Sequence, residues 1–246
     1  MSLAFLTPDA VGDAVARSPM ERLARAAGAR IEVREGWNVA TAYGDADAER
    51  RLLAEGVGFA DRSNLLKLEL QAEPATLAAV VEAASGGAHA LEPGSAVRAN
   101  GAWWCPVTPT RVLVLGDPEH AARIRLAVSD ACADIAAAAA ASATATATET
   151  VTVADLTSGL AALTLSGPAS RELLARFCAI DVRPGATPVG AFRPGSVART
   201  PGYLLREGED RLLVLVGWAL GHYLWTVVAD AAEHLGGGPV GADALT

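Results

Sequence analysis

Two stretches of this chain echo one another. Phe59-Ala60-Asp61-Arg62-Ser63 leads into an apolar segment, Leu65 to Leu70, and then to Glu73-Pro74 ahead of Ala75. Val153-Ala154-Asp155-Leu156-Thr157-Ser158 leads into Ala161 to Leu165, and then to Gly167-Pro168 ahead of Ala169. An acid-polar turn, a strand and a helix therefore occur twice, which reads as an internal duplication. Neither copy has enough apolar surface to bury alone, so the two must pack on each other.

The remaining elements follow from periodicity and punctuation. Ser18 to Ala29 predicts a helix, with Ser18 as cap, Pro19 at its first position and Gly28 as its stop. Arg30 to Arg34 alternates, with Ile31 and Val33 on one face, and predicts a strand. Ala48 to Glu55 predicts a second helix, closed by Gly56, and Asp61 with Ser63 marks a turn. Leu65 to Leu70 reads Leu-Leu-Lys-Leu-Glu-Leu, a strand expected to keep one face wet. Ala75 to Ala84 predicts a helix, and Trp103 to Val107 with Arg111 to Leu115 a hairpin whose second limb is buried. A helix is expected over Glu119 to Ile135 after Asp117-Pro118. Beyond the second turn come a helix over Ala169 to Phe177, a strand over Arg211 to Val216 and a helix over Leu220 to Leu235. In the last, Leu224, Val227, Val228 and Ala231 share a face. The low-complexity run Ala136 to Thr148 begins with alanines that can prolong a helix. The expected organisation is a first half over residues 18–141, a linker over 142–148 and a second half over 149–246.

Charge and cysteine content narrow the function. The 246 residues carry a formal net charge of -8 and a pI near 5.0. An acidic globule repels phosphate backbones, which argues against nucleic acid as a partner. No apolar run reaches the roughly 20 residues that span a bilayer, and Met1 to Ala10 lacks the basic start of a secretion signal. Cys105, Cys132 and Cys178 are far apart, which argues against a disulfide framework or a zinc site, so the expected compartment is the cytoplasm. His89, His120, His222 and His234 show no metal-ligand spacing, and no glycine-rich phosphate loop is present.

Several ordered stretches resemble one family. Gly28-Ala29-Arg30, Gly36-Trp37, Tyr43-Gly44, a helix and then Phe59-Ala60-Asp61-Arg62-Ser63 resemble the start of the glycine-cleavage T-protein aminomethyltransferases. Leu165-Ser166-Gly167-Pro168-Ala169, Gly202-Tyr203 and Pro239-Val240-Gly241 resemble later turns of the same folate-binding domain. Ser18-Pro19, Cys178-Ala179-Ile180-Asp181 and Tyr223-Leu224-Trp225 look like the sarcosine oxidase gamma-subunit branch. The resemblance runs from about Met20 to Ala244. It implies an α+β fold of two ferredoxin-like pseudo-repeats packed as a T-protein-type folate-binding domain, without the C-terminal barrel that T-proteins add. It also implies a tetrahydrofolate cleft between the repeats and no metal.

Transfer of a one-carbon unit to a folate nitrogen needs a carboxylate near that nitrogen. T-proteins place an Asp pair after a glycine-rich turn; here that turn reads Gly101-Ala102-Trp103-Trp104 and the pair has become Cys105-Pro106. No catalytic residue can therefore be assigned. Cys105 reads as a small buried residue, since no local cation would lower its pKa into the range of a nucleophile. In a strand, Trp103 and Trp104 point to opposite faces. One ring is core; the other belongs to core or interface, or stacks on a flat heterocycle such as a pterin. Leu65 stands where the family places a methionine against the folate ring, and alone reads as core. Tyr43 and Tyr203 complete the candidate cofactor-binding set of Trp103, Trp104, Tyr203, Tyr43, Leu65 and Cys105. Gly208-Glu209-Asp210 reads as a polar turn between two strands, or as the family's displaced pterin-anchoring acid.

Two functional readings remain open at this point. One is an accessory subunit, most like the gamma subunit of a heteromeric sarcosine oxidase, with flavoprotein oxidase subunits as partners. The other is a free-standing tetrahydrofolate-dependent aminomethyltransferase or demethylase-like enzyme, acting on a small methylated amine or with its cleft turned to a specialised metabolite.

Overall fold

The computed structural model describes residues 15–141 and 150–245, so the expected linker lies outside the described residues. The chain opens with α1 (Glu21–Ala26), β1 (Arg30–Arg34), β2 (Trp37–Ala42) and α2 (Ala46–Glu55). Then come β3 (Gly58–Asp61), β4 (Leu66–Gln71), α3 (Pro74–Ser85), β5 (Val97–Ala99), β6 (Ala102–Thr108), β7 (Arg111–Gly116) and α4 (Ala121–Ala141). The second half has β8 (Thr152–Asp155), β9 (Leu160–Ser166), α5 (Ser170–Ala175), β10 (Phe192–Val197), β11 (Thr200–Gly208), β12 (Arg211–Gly217), α6 (Gly221–Glu233) and β13 (Gly238–Pro239). The first helix is shorter than expected, because the Ser18 hydroxyl caps the Met20 amide and helical bonding starts only at Glu21.

The strands form two large sheets and a separate hairpin. One sheet runs β5-β6-β7-β4-β8, the other β10-β11-β12-β9-β3-β13, and β1 pairs with β2 alone. Four strands of each large sheet follow the ferredoxin-like order. The halves exchange a strand: β3 precedes β4 in the chain but pairs with β9, whereas β8 precedes β9 but pairs with β4.

Period-2 alternation divides the interior into three layers. Along β7, Val112 and Val114 join α3 and α4 in one core, while Leu113 and Leu115 face the other sheet. Along β12, Leu212, Val214 and Val216 pack beneath α1, α5 and α6, while Leu213 and Leu215 enter that same inter-sheet layer. Both faces of both strands are buried, which is why they read as continuous apolar runs. The molecule is thus four layers, helices outside two facing sheets.

The expected wet face of β4 is wet only at its far end, where Glu69 is partly exposed and Gln71 exposed. Lys67 is 0 % exposed, because the inner face of β4 is covered by the second sheet. Its ammonium donates to the carbonyls of Ser63 (2.7 Å), Leu65 (3.0 Å) and Thr157 (3.2 Å). Three donors meet three acceptors, the arrangement that makes a buried ammonium tolerable.

That lysine sits where two matching turns cross. The Asp61 carboxylate accepts from the Ser63 amide and the Asp155 carboxylate from the Thr157 amide, each at 2.9 Å. The Ser63 hydroxyl accepts from the Ala162 amide, and the Thr157 hydroxyl from the Lys67 amide, each at 3.2 Å. The Arg62 amide donates to Ala162 O (2.9 Å) and the Leu156 amide to Lys67 O (2.8 Å). Each turn is bonded to the strand of the other half, so the sequence echo is a structural pseudo-twofold. Lys67 and Ala162 occupy equivalent places in it.

The segment after α6 closes one end. The two oxygens of Glu49 accept from the amides of Tyr43 and Gly241, each at 2.6 Å. A side chain on Gly241 would collide with the Thr41 carbonyl, so only glycine allows this approach.

Two predictions follow from the layering. Trp104 is 1 % exposed in the core beneath α3 and α4, with its indole N–H on Ala99 O at 3.1 Å. Trp104→Ala is expected to cost about 3–5 kcal/mol in urea denaturation, and a near-neutral result would contradict the core assignment. Burial holds Lys67 down to about 7, Asp61 and Asp155 opposing it and Arg62 adding to it. An unfolded lysine titrates near ~10.4, so above pH 7 the unfolded chain holds a proton that the folded chain has lost, and stability rises with pH. Burial also pushes the Cys105 thiol up, which lowers stability once unfolded thiols ionise. The comparison is therefore with Lys67→Met between about pH 6 and 8.5, below most of that ionisation. The urea midpoint should climb in the wild type and lose that climb in the variant; equal slopes would contradict it.

Candidate functional site

The crossed turns carry Arg62 into a cleft. Its main chain is held by Ala162 on one side, and the Leu65 amide returns to Arg62 O at 3.0 Å on the other. The guanidinium is largely buried and donates to one oxygen of Asp117 at 2.9 Å. Arg98 donates to the other oxygen at 2.6 Å, so one carboxylate joins two arginines. The Arg98 guanidinium carbon lies 5.6 Å from the ring centroid of Trp103, a cation-π contact. Burial pushes Arg62 down from the usual arginine range, with Glu207 the first group opposing that shift.

Two adjoining cavities, about 670 and 350 Å³, share Arg62, Asp117 and Arg211. The smaller adds Arg98, Trp103 and Glu207. The larger adds the tip of the β1–β2 hairpin, at Val33, Arg34 and Glu35, and the chain end at Ala242, Asp243 and Leu245. Positive φ at Glu35 and Gly36 makes the tight turn that brings this tip over the cleft. Arg34 then pairs with Asp243 and with Glu32, linking the tip to the chain end.

The cleft wall holds an ion pair from the second half. Arg211 Nε lies 3.3 Å from Glu207 Oε2, but not in hydrogen-bond alignment. Both atoms are buried without a hydrogen-bond partner among the described residues, while Arg211 Nη1 donates to Leu245 O at 3.1 Å. This ion pair beside the Trp103 face gives the cleft wall an aromatic surface next to charged groups, a lining that suits a flat ligand with polar edges.

The six sequence candidates do not gather. Trp103 alone among them lines the cleft. Trp104 belongs to the helix-side core, because adjacent strand residues face opposite ways. Cys105 and Leu65 are buried in the inter-sheet layer, where burial and then Glu207 push the thiol of Cys105 up. Tyr203 borders that layer, its ring stacked on Phe192 at 5.4 Å and 12°. Tyr43 lies beneath the second sheet's helices, 6.4 Å from the Trp225 ring; burial pushes its hydroxyl up, and that oxygen has no hydrogen-bond partner among the described residues. Glu209 sits in the β11–β12 turn, where its carboxylate bonds Arg206 at 2.6 Å.

Arg62, Arg98, Asp117, Glu207 and Arg211 escaped the sequence reading. Cys105 has no acidic neighbour along the chain, but Glu207 comes from the other half. A signal for Arg62 did exist: the second copy of its turn has Leu156 in the same place. Among the described residues no group of three or more His, Cys, Asp or Glu side chains could hold a metal ion. No helix there is long and apolar enough to cross a membrane.

Comparison with known proteins agrees with the fold. The family model described as GCVT N-terminal domain matches residues 120–246. No curated protein matches the chain significantly by sequence. A chain of the heterotetrameric sarcosine oxidase from Corynebacterium sp. U-96, in complex with pyrrole 2-carboxylate, is similar with a TM-score of 0.61 and 22% identity. That match covers 77% of this chain and 92% of the oxidase chain. The glycine cleavage system aminomethyltransferase T from Bartonella henselae is similar with a TM-score of 0.72 and 16% identity, over 94% of this chain. This chain spans 60% of the Bartonella protein's length. Because the family match takes in α4, the second crossed turn and all that follows it, the chain belongs to the GCVT N-terminal domain family.

Proposed function

We propose that the cleft binds a reduced folate, and that the chain serves as a subunit most like the gamma subunit of a heteromeric sarcosine oxidase. The observation that carries the folate half is the cleft wall, where the Trp103 ring lies in one cavity with Arg62, Arg98, Arg211 and Glu207. The residues fit the group. Trp103 offers a face for a pterin ring, Glu207 an acceptor for ring N–H groups, and Arg62, Arg98 and Arg211 charge for carboxylates. Tetrahydrofolate, when bound, supplies a nitrogen that carries a one-carbon unit. The chain's own residues would then hold the ring, orient its edge and exclude water.

The subunit half is supported by the likeness to a chain of a heterotetrameric oxidase, and by Cys105-Pro106 standing where an Asp pair is expected. Flavin chemistry would lie in partner chains, and the cytoplasm would be the compartment. The second reading, a free-standing folate-dependent aminomethyltransferase or demethylase-like enzyme, is favoured by one observation. Glu207 brings a buried carboxylate to the cleft from the other half, a group able to manage a proton there.

Calorimetric titration with 5-formyltetrahydrofolate tests the shared part. Saturable binding is expected, weakened roughly tenfold or more by Trp103→Ala in protein shown to be folded by near-UV circular dichroism. An affinity untouched by that substitution would move the site elsewhere, and no binding would remove folate from the reading. Size-exclusion chromatography of the protein from its native host separates the two roles. The subunit reading expects co-elution with flavin absorbance, well above the 25.1 kDa of the single chain; elution alone, with one-carbon transfer activity, supports the free-standing enzyme.

A further inference from the structure

The chain has 20 basic residues of the Lys and Arg type, and Lys67 is the only lysine among them. Arginine serves at all 19 other places, most of them at least partly exposed. The one lysine is fully buried, in the place where the other copy of the duplication has Ala162. Packing alone is met by a small apolar residue there, as the second copy shows. A compact ammonium directs three N–H bonds at three converging carbonyls, which a planar guanidinium with five donors does not match. One carbonyl, that of Thr157, belongs to the other half.

We propose that Lys67 is the positioning residue of the cleft: it clamps the turn carrying Arg62 to the matching turn of the other half, and its proton sets the placement of Arg62. The inference rests on the reading of the cleft as a ligand site. The connection is continuous. Lys67 Nζ holds the carbonyls of Ser63 and Leu65, which follow Arg62 in the turn, and the Leu65 amide donates to Arg62 O at 3.0 Å. Arg62 bonds Asp117, Asp117 bonds Arg98, and Arg98 lies over Trp103.

A neutral amine has two hydrogens for three carbonyls. The longest contact, to Thr157, is the first to be released, and it is the one that joins the halves. The charged groups acting on Lys67 are Asp61 and Asp155, which favour its proton, and Arg62, which disfavours it. Arg125 holds Asp155 at 2.7 Å and so tempers that attraction. Burial of this charge costs stability, and a cost retained at one place in a duplicated frame fits a positional role.

A single lysine makes the test direct. The full chain labelled with 13Cε-lysine gives one lysine side-chain resonance, and 5-fluorotryptophan labelling gives a Trp103 line, assigned with Trp103→Phe. Both are followed from about pH 6 to 9.5, a range that brackets the folded lysine's titration. The two midpoints should coincide. In Lys67→Met the Trp103 line should sit at a new position and lose that titration, with the fold checked by near-UV circular dichroism. In Lys67→Arg it should stay fixed across the range. 5-Formyltetrahydrofolate affinity should fall roughly threefold or more across the wild-type midpoint and stay level in Lys67→Arg. A Trp103 line indifferent to the lysine's titration, or unmoved in folded Lys67→Met, overturns the proposal. If Lys67→Met does not fold, the coincidence or mismatch of the two wild-type midpoints decides it. Coincident titrations without folate affinity at any pH would remove the folate reading and keep the positioning one.

Discussion

The fold turns on a pair of crossed turns. Asp61 and Asp155 each fold back on an amide two residues on, and the hydroxyls of Ser63 and Thr157 then reach into the opposite half. These contacts set the register of β4 against β8 and of β9 against β3. They make the exchange of strands between halves the organising act of the structure. Neither half can complete its sheet alone, so the two must fold together around this junction.

The cleft inherits its chemistry from that junction. Arg62 leaves the first turn, Asp117 the end of β7, and Glu207 and Arg211 flank the β11–β12 turn. Charges from both halves meet beside Trp103. Two buried polar side chains of the scaffold are bonded on every side: Arg206 donates to three carbonyls and a carboxylate, and Glu49 accepts two amides. The cleft differs in gathering a few placed charged groups beside an aromatic face, as ligand sites do.

Much of the scaffold was legible in the sequence. The duplicated turn, the β6–β7 hairpin and the buried run of β12 follow from local pattern, and the T-protein-like fold followed from the ordered resemblance. The side of a strand that faces water was not legible. Lys67 and Glu69 alternate with leucines as they would on a solvated face, yet a second sheet covers Lys67 completely. The site was harder still. Trp103 and Trp104 are neighbours whose roles differ because one faces the cleft and the other the helices, and only tertiary placement separates them. Glu207 comes from the other half of the chain. The clue that was present lies between the copies: Arg62 corresponds to Leu156, and Lys67 to Ala162. Where a duplicated frame needs an apolar residue in one copy and carries a charge in the other, the charge does something besides packing.

The most direct measurement is a crystal structure of the chain grown with saturating 5-formyltetrahydrofolate. The ligand's ring is expected on the face of Trp103, with its polar edge toward Glu207 and Arg211. A ring bound elsewhere, for instance against Tyr43, or a cleft left empty at saturation, would contradict it.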